Sequence, residues 1–195
     1  MKKLLVAALV LSVSSGVKAQ VSRGTLSVEG NVGFGNTKTT RPGVKDAVTS
    51  SILYFQPGVG YFIKDRLETY LFGSVVTSAE KQAGKTIKGN GIGVGVGVRK
   101  YFMLNEHFGF LAGPQVSFER QQDQFGTEAR NLDITANVGM VFFPSTRVGL
   151  RAGLGLIGYS SSTVKEKNVS EETKVSSFGL KASSSDFNLG LSFYF

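Results

Sequence analysis

Gly91-Ile92-Gly93-Val94-Gly95-Val96-Gly97-Val98 is the stretch that decides the fold of this chain. Glycine and a branched apolar residue alternate without a break. Side chains on a strand point alternately to opposite faces, so a strict period of two reads as a strand with unlike faces. The same letters contain the Gly-x-Gly-x-Gly string of a nucleotide loop. Here the string lies inside a strand and no helix follows it, so that reading is discarded.

The alternation recurs on both sides. Leu26, Val28, Val32 and Phe34 alternate with Ser27, Glu29, Asn31 and Gly33. Phe108, Phe110, Ala112, Val116 and Phe118 alternate with Gly109, Gly113, Gln115, Ser117 and Glu119. Leu132, Ile134, Ala136, Val138, Met140 and Phe142 alternate with Asp133, Thr135, Asn137 and Gly139. Val148, Leu150, Ala152, Leu154 and Leu156 alternate with Gly149, Arg151, Gly153 and Gly155. Phe187, Leu189, Leu191, Phe193 and Phe195 close the chain against Asp186, Asn188, Gly190 and Ser192. Ser51 to Ile63 puts Leu53, Phe55, Val59 and Tyr61 on one face, while Leu67 to Ala79 is apolar on both and its outward side stays open.

Eight strands result, at 25–37, 51–63, 67–79, 88–102, 107–120, 130–143, 147–160 and 182–195. Each is longer than the ~5–6 residues usual in soluble proteins and exceeds the ~9–11 that a tilted strand needs to cross a bilayer. Short turns fall at Lys64-Asp65-Arg66, Leu104-Asn105-Glu106 and Pro144-Ser145-Thr146, and long polar loops at 38–50, 80–87, 121–129 and 161–181. An even strand number with short turns at one end and long loops at the other is the arrangement of an outer-membrane barrel, short turns on the periplasmic side. The expected fold is therefore an all-β, eight-stranded antiparallel up-and-down transmembrane barrel. A soluble β-sandwich explains the strand lengths and the loop asymmetry poorly. Tyr61, Phe62, Tyr101, Phe102, Phe108, Phe142, Phe143, Phe193, Tyr194 and Phe195 collect near the periplasmic rim, where an interfacial aromatic girdle is expected.

Composition agrees. Glycine is 25 of 195 residues, close to twice the usual ~7%. Absence of Cys removes disulfides and thiolate sites, and His107 as the lone histidine removes any site that needs two imidazoles. Residues 1–19, MKKLLVAALVLSVSSGVKA, have the form of a secretory leader: Lys2 and Lys3, an apolar run from Leu4 to Val13, and small residues before a cut between Ala19 and Gln20. The barrel is expected to occupy 20–195. Cleavage would remove Lys2, Lys3 and Lys18, three of the +8 net charge, and no dense Lys/Arg cluster remains, so nucleic acid is not an expected partner.

Asn188-Leu-Gly-Leu-Ser-Phe-Tyr-Phe195 ends on alternating hydrophobics and an aromatic. Phe193, Tyr194 and Phe195 are similar to the sorting signal read by the barrel-assembly machinery. Gln56-Pro-Gly-Val-Gly-Tyr-Phe-Ile63 and Val138-Gly-Met-Val-Phe-Phe-Pro144 each run into a short turn, the second followed by Val148-Gly-Leu-Arg-Ala-Gly-Leu-Gly155. Together these resemble the small outer-membrane β-barrel domain of the Bacteroidetes "porin family", within the OmpA/OmpX-type group. The resemblance covers nearly all of the mature chain. It implies architecture and a Gram-negative outer-membrane location more than an activity. No peptidoglycan-binding domain follows Phe195, so an OmpA-type tether is not expected.

The lumen of an eight-stranded barrel is just wide enough for side chains to fill. Inward Gly91, Gly93, Gly95, Gly97, Gly153 and Gly155 would leave room for larger groups. Glu29, Glu68, Arg99 and Arg151 all fall inward in the periplasmic half, which is the basis for expecting a salt-bridged plug. Glu119, Asp133 and Asp186 should lie nearer the outer end, paired with Arg120, Arg130 or Lys181 in preference to attracting a cation. Pro57 cannot donate to a ladder, so a bulge is expected in the second strand. His107 begins the fifth strand beside a periplasmic turn, the wrong end for the lipid chemistry of barrel enzymes. The expectation is a monomer that is not an enzyme and carries no cofactor or metal. Its loops would serve surface interactions, and its lipid partners would be lipopolysaccharide outside and phospholipid inside. The alternatives are a narrow channel for small or hydrophobic solutes and, further off, a lipid A-modifying enzyme.

Overall fold

A computed structural model of the chain describes residues 21–39, 48–82, 85–165, 172–181 and 187–195. The leader and its cleavage point at Ala19 and Gln20 lie outside these residues. The strands are β1 (Leu26–Thr39), β2 (Val48–Lys64), β3 (Leu67–Gln82), β4 (Lys85–Met103), β5 (Phe108–Asp123), β6 (Glu128–Ser145), β7 (Val148–Lys165), β8 (Glu172–Lys181) and β9 (Phe187–Tyr194). Each of β1 to β7 pairs antiparallel with the next, β7 pairs with β9, and β9 pairs with β1. The sheet is thus an eight-stranded up-and-down ring with no free edge along its closed part, which is what backbone in hydrocarbon requires.

β8 is an addition that the alternation did not reveal. It pairs with the outer half of β7, from Leu156↔Lys181 to Lys165↔Glu172, beyond the stretch where β9 pairs with Val148 to Ala152. The loop expected at 161–181 is therefore largely ladder. Among the described residues the eighth ring strand runs from Phe187, and the expected start at 182 lies outside them. The loop expected at 121–129 likewise shrinks, because β5 reaches Asp123 and β6 starts at Glu128. At this end both faces are wet, so hydropathy stops alternating while the backbone goes on pairing.

The outward face is apolar along the middle of every ring strand. Ile92, Val94 and Val96 of β4 are each at least 50% exposed, as hydrocarbon-facing side chains must be. β3 turns Leu71 and Val75 outward and buries Glu68, Tyr70, Phe72, Ser74 and Val76. This settles the face that its sequence left open. Inward glycines on β4 make room for those rings. A Cβ on Gly95 would overlap Phe72, and one on Gly97 would overlap Tyr70.

Three local expectations are corrected. The irregularity of the second strand is not at Pro57: β2 keeps one register with β3 from Phe55↔Val75 to Gly58↔Phe72, the pairings of Gln56 and Pro57 drop out, and the register shifts only between Phe62 and Lys64. The missing N–H falls on the β3 side, while the ladder to β1 runs on through Gly30↔Pro57. An irregularity does occur where β7 meets β6. Val138 pairs with Gly155 and Gly139 with Gly153, which leaves Leu154 as an extra residue. Alternation inverts past it, so Gly155 pairs with outward Val138, Leu156 pairs with inward Asn137, and Ile157 and Tyr159 take the outward positions. Finally, Phe62, Tyr101, Phe143 and Tyr194 are not part of a girdle. They are at most 3% exposed and, with Val141, form the core of the lumen at the short-turn end.

Candidate functional site

The charged cluster is built on four strands. Register places Glu68 of β3 directly opposite Arg99 of β4, both pointing inward. Arg99 Nε donates to Glu68 Oε2 at 2.6 Å, and its Nη2 donates to Glu29 of β1. Arg151 of β7 brings Nη1 to 2.7 Å from Glu29 Oε2, and its Nη2 donates to Asn31 Oδ1 at 3.3 Å. Glu68 also accepts from Ser27 Oγ and, at 2.7 Å, from the Tyr101 hydroxyl. The Arg99 guanidinium carbon lies 4.2 Å from the centre of the Tyr70 ring. The four charged side chains named from sequence are thus linked in the order Glu68, Arg99, Glu29, Arg151, each no more than 8% exposed.

Two carboxylates and two guanidiniums leave no net charge in the cluster. Burying an ion costs several kcal/mol unless a partner and further hydrogen bonds compensate. Charge-assisted bonds from Arg99, Ser27 and Tyr101 do so for Glu68, and the Tyr70 ring adds a cation–π contact to Arg99. Missing side chains on neighbouring strands make the geometry possible. A Cβ on Gly60 would collide with Glu68 and Ser27, and Gly190 lies beneath Arg151 and Asn31. The long charged side chains therefore lie flat across bare backbone.

An aromatic floor closes the short-turn side of the cluster. Tyr194 packs against Phe143 and Phe62 at centroid distances of 5.5 and 6.1 Å, and Phe62 against Tyr101 at 5.4 Å. Val21 packs beneath them. The chain there is pinned by Gly24 N donating to Phe62 O at 2.9 Å and Arg66 N to Val21 O at 2.6 Å. Tyr101 belongs to floor and cluster at once. On the other side lies a cavity of about 340 Å³, bounded by Glu29, Arg99 and Arg151 below and reaching Glu119 above. Tyr54, Tyr70 and Gln115 line its middle, and the Tyr70 hydroxyl donates to Gln115 Oε1 at 3.0 Å.

Among the outer carboxylates, Glu119 differs from expectation. Glu119 accepts from Ser74 Oγ at 3.4 Å, not from Arg120 or Arg130. Those two arginines face outward and meet on Glu128: Arg120 Nη2 and Arg130 Nε each donate to its carboxylate at 2.6 Å. The reason is parity, since an even-numbered residue of β5 or β6 cannot reach the lumen. The bonds from Arg130 and then Arg120 hold the Glu128 carboxyl below its ordinary range. Asp186 lies outside the described residues, and Lys181 is described through its pairing with Leu156. His107 stays at the short-turn end, its Nδ1 2.9 Å from the Phe143 carbonyl oxygen. Among the described residues no group of His, Cys, Asp or Glu could hold a metal ion. The C-terminal trio divides, with Phe193 and Phe195 outward and Tyr194 inward.

Sequence reasoning missed Ser27, Asn31, Tyr70 and Tyr101. Each lies two residues from a charged member of the cluster and therefore shares its face. Parity alone could have found them. Closeness to a turn drew Tyr101 into the girdle instead.

The model of the outer membrane protein beta-barrel domain matches residues 5–195. Among solved structures, Neisserial surface protein A matches with a TM-score of 0.50 and 13% identity, over 89% of this chain and all of the other. OprG from Pseudomonas aeruginosa matches with a TM-score of 0.52 and 10% identity, over 91% of this chain and 99% of the other. At such identities the likeness is one of fold. No curated protein matches. A closed ring of eight antiparallel strands, an apolar exterior and a family match over almost its whole length place this chain in the bacterial outer membrane: it belongs to the outer membrane protein β-barrel domain family.

Proposed function

We propose that this protein is a non-enzymatic outer-membrane barrel whose lumen is sealed on the periplasmic side and whose loops present an interaction surface outside. The observation that carries the seal is Arg99, which bonds to Glu68 and Glu29 across three strands, with Glu68 tied to Tyr101 of the aromatic floor. A fixed ion cluster backed by packed rings leaves no continuous water path. Planar-bilayer recording on refolded protein tests this. The seal predicts no large, steady single-channel currents for the native chain, and such currents would overturn it. Deleting outer-loop residues should abolish surface binding while the heat-dependent gel shift of a folded barrel persists.

One observation favours a second reading, that of a narrow channel. The cavity of about 340 Å³ already hollows the lumen above the cluster. If the ion pairs can part, small solutes could pass. Brief, rare openings that become frequent in Glu68→Gln would support this reading over a permanent seal.

A further inference from the structure

Four carboxamides stand at one level inside the barrel. Asn31 of β1, Gln56 of β2, Gln115 of β5 and Asn137 of β6 all border the cavity above the ion cluster. Pairs followed once round the ring from Arg120 return to β5 at Phe110, ten residues lower. Over eight strands such a shift goes with a strand tilt of about 40°. One residue then climbs ~2.5 Å along the barrel axis, and one strand-to-strand step ~3 Å. Counted this way, the four amides fall within roughly 3 Å of one another in height. β1 and β2 lie across the ring from β5 and β6, so the amides form a collar fed from opposite walls.

The collar has more hydrogen-bonding capacity than its neighbours use. Asn31 Oδ1 accepts from Arg151 Nη2, and Gln115 Oε1 accepts from the Tyr70 hydroxyl at 3.0 Å. With those oxygens engaged, the NH2 groups of both amides are the ends left over. Among the described residues, no hydrogen bond joins the side chain of Gln56 or Asn137 to a partner. Arg151 Nε is buried and likewise unpartnered among them, and it lies with Asn31 over bare Gly190. A buried donor without an acceptor is unfavourable, so the waist of the cavity is built for a guest rich in acceptors. The amides are uncharged, and the floor beneath them balances two carboxylates with two guanidiniums. Higher up, Glu119 accepts from Ser74 and Gln121. A neutral guest fits this balance better than an ion.

We propose that the amide collar binds a neutral, oxygen-rich ring solute, a monosaccharide. Hydroxyls round a sugar ring both accept and donate, so they match the free NH2 groups of Asn31 and Gln115 and either end of Gln56 and Asn137. An aromatic solute of the same size has no such groups on its rim and would leave the amides unpaired. The cavity of about 340 Å³ is at the small end of ligand pockets, which run to ~300–1,000 Å³, and so suits one sugar ring and not a chain of them. The proposal rests on the lumen of the barrel and stands whether or not the ion cluster below can part.

Proton–nitrogen NMR of the side-chain amides tests it, on protein refolded in a phosphocholine detergent that carries no sugar. D-glucose should shift the NH2 signals of Asn31, Gln56, Gln115 and Asn137 together and saturate in the millimolar range. Gln56→Met with Asn137→Leu should weaken glucose binding about tenfold or more, read on Asn31 and Gln115. Shifts that fail to appear or to saturate, or an unchanged affinity in the double variant, overturn the proposal. Benzoate moving the same signals at lower concentration than glucose also overturns it, because the site would then select a flat anion. If the double variant does not fold, as read by the heat-dependent gel shift, Asn137→Ala decides. A several-fold loss supports the collar, and no loss overturns it. None of these arms reads conductance, so their failure is distinct from a failure of the periplasmic seal.

Discussion

Glu68 shows what one buried side chain does inside the barrel. It is fully buried and accepts from Arg99, Ser27 and Tyr101. Glu68→Gln keeps the shape and removes the charge, leaving Arg99 and Arg151 to share Glu29. Breaking a buried pair from one side costs about 3 kcal/mol or more, because the other ion stays behind. Urea unfolding in lipid vesicles should register that loss. Glu68→Gln combined with Arg99→Met should lose less than the two single changes summed, since the stranded ion is gone. Glu128 is the opposite case, an ion pair in water. Its folded pKa lies below the ordinary 4.5 because Arg130 and Arg120 bond to the ionised form. A lowered carboxyl pKa contributes stability that is fully present above the ordinary value and is lost as pH falls through the folded one. Carbon-13 NMR of the carboxyl should give a Glu128 midpoint below 4.5, and a midpoint at or above that value would count against the triad.

Strands raise the question of how much is legible one segment at a time. Gly113 is a test. A Cβ there would run into the Val98 carbonyl and the Arg99 Cα, so β4 and β5 approach too closely for any other residue. Gly113→Ala should cost about 1–3 kcal/mol in urea unfolding. Gly73→Ala, whose Cβ would meet nothing nearer than 3.8 Å, should change stability by less than about 0.5 kcal/mol. The ring, its strand order and inward Glu29, Arg99 and Arg151 could be read because a single strand carries its own parity. β3 could not be oriented that way, because Tyr70 and Phe72 are inward only by virtue of Gly97 and Gly95 on its neighbour. The extra residue at Leu154 is also a property of pairing, invisible in the hydropathy of β7 alone. Pro57 misled because a lost donor was equated with a lost register. Pro114 makes the same point: β4 and β5 keep one register from Gly97↔Gln115 to Lys100↔Ala112, while the pairings between them drop out.

At the scale of the whole molecule, the strand that closes the ring also carries part of the proposed seal. β9 completes the sheet, with Leu26 and Phe195 exchanging backbone hydrogen bonds at 3.1 and 2.9 Å. The same strand delivers Tyr194 to the floor and Gly190 to the space under Arg151. The three C-terminal aromatics thus divide between two tasks by parity. Phe193 and Phe195 face lipid, where an assembly factor could read them, and Tyr194 faces the lumen. The division predicts separable defects. Tyr194→Ala should cost about 3–5 kcal/mol, as removal of a buried ring does, and should raise bilayer conductance beside Arg151 and Glu68. It should leave the rate of assembly by reconstituted machinery nearly unchanged. Phe195→Ala should do the reverse, slowing assembly several-fold while the inserted barrel stays as tight as the native one. If Tyr194→Ala slows assembly and leaves conductance alone, the inward ring is part of the sorting signal and the floor is not what keeps water out.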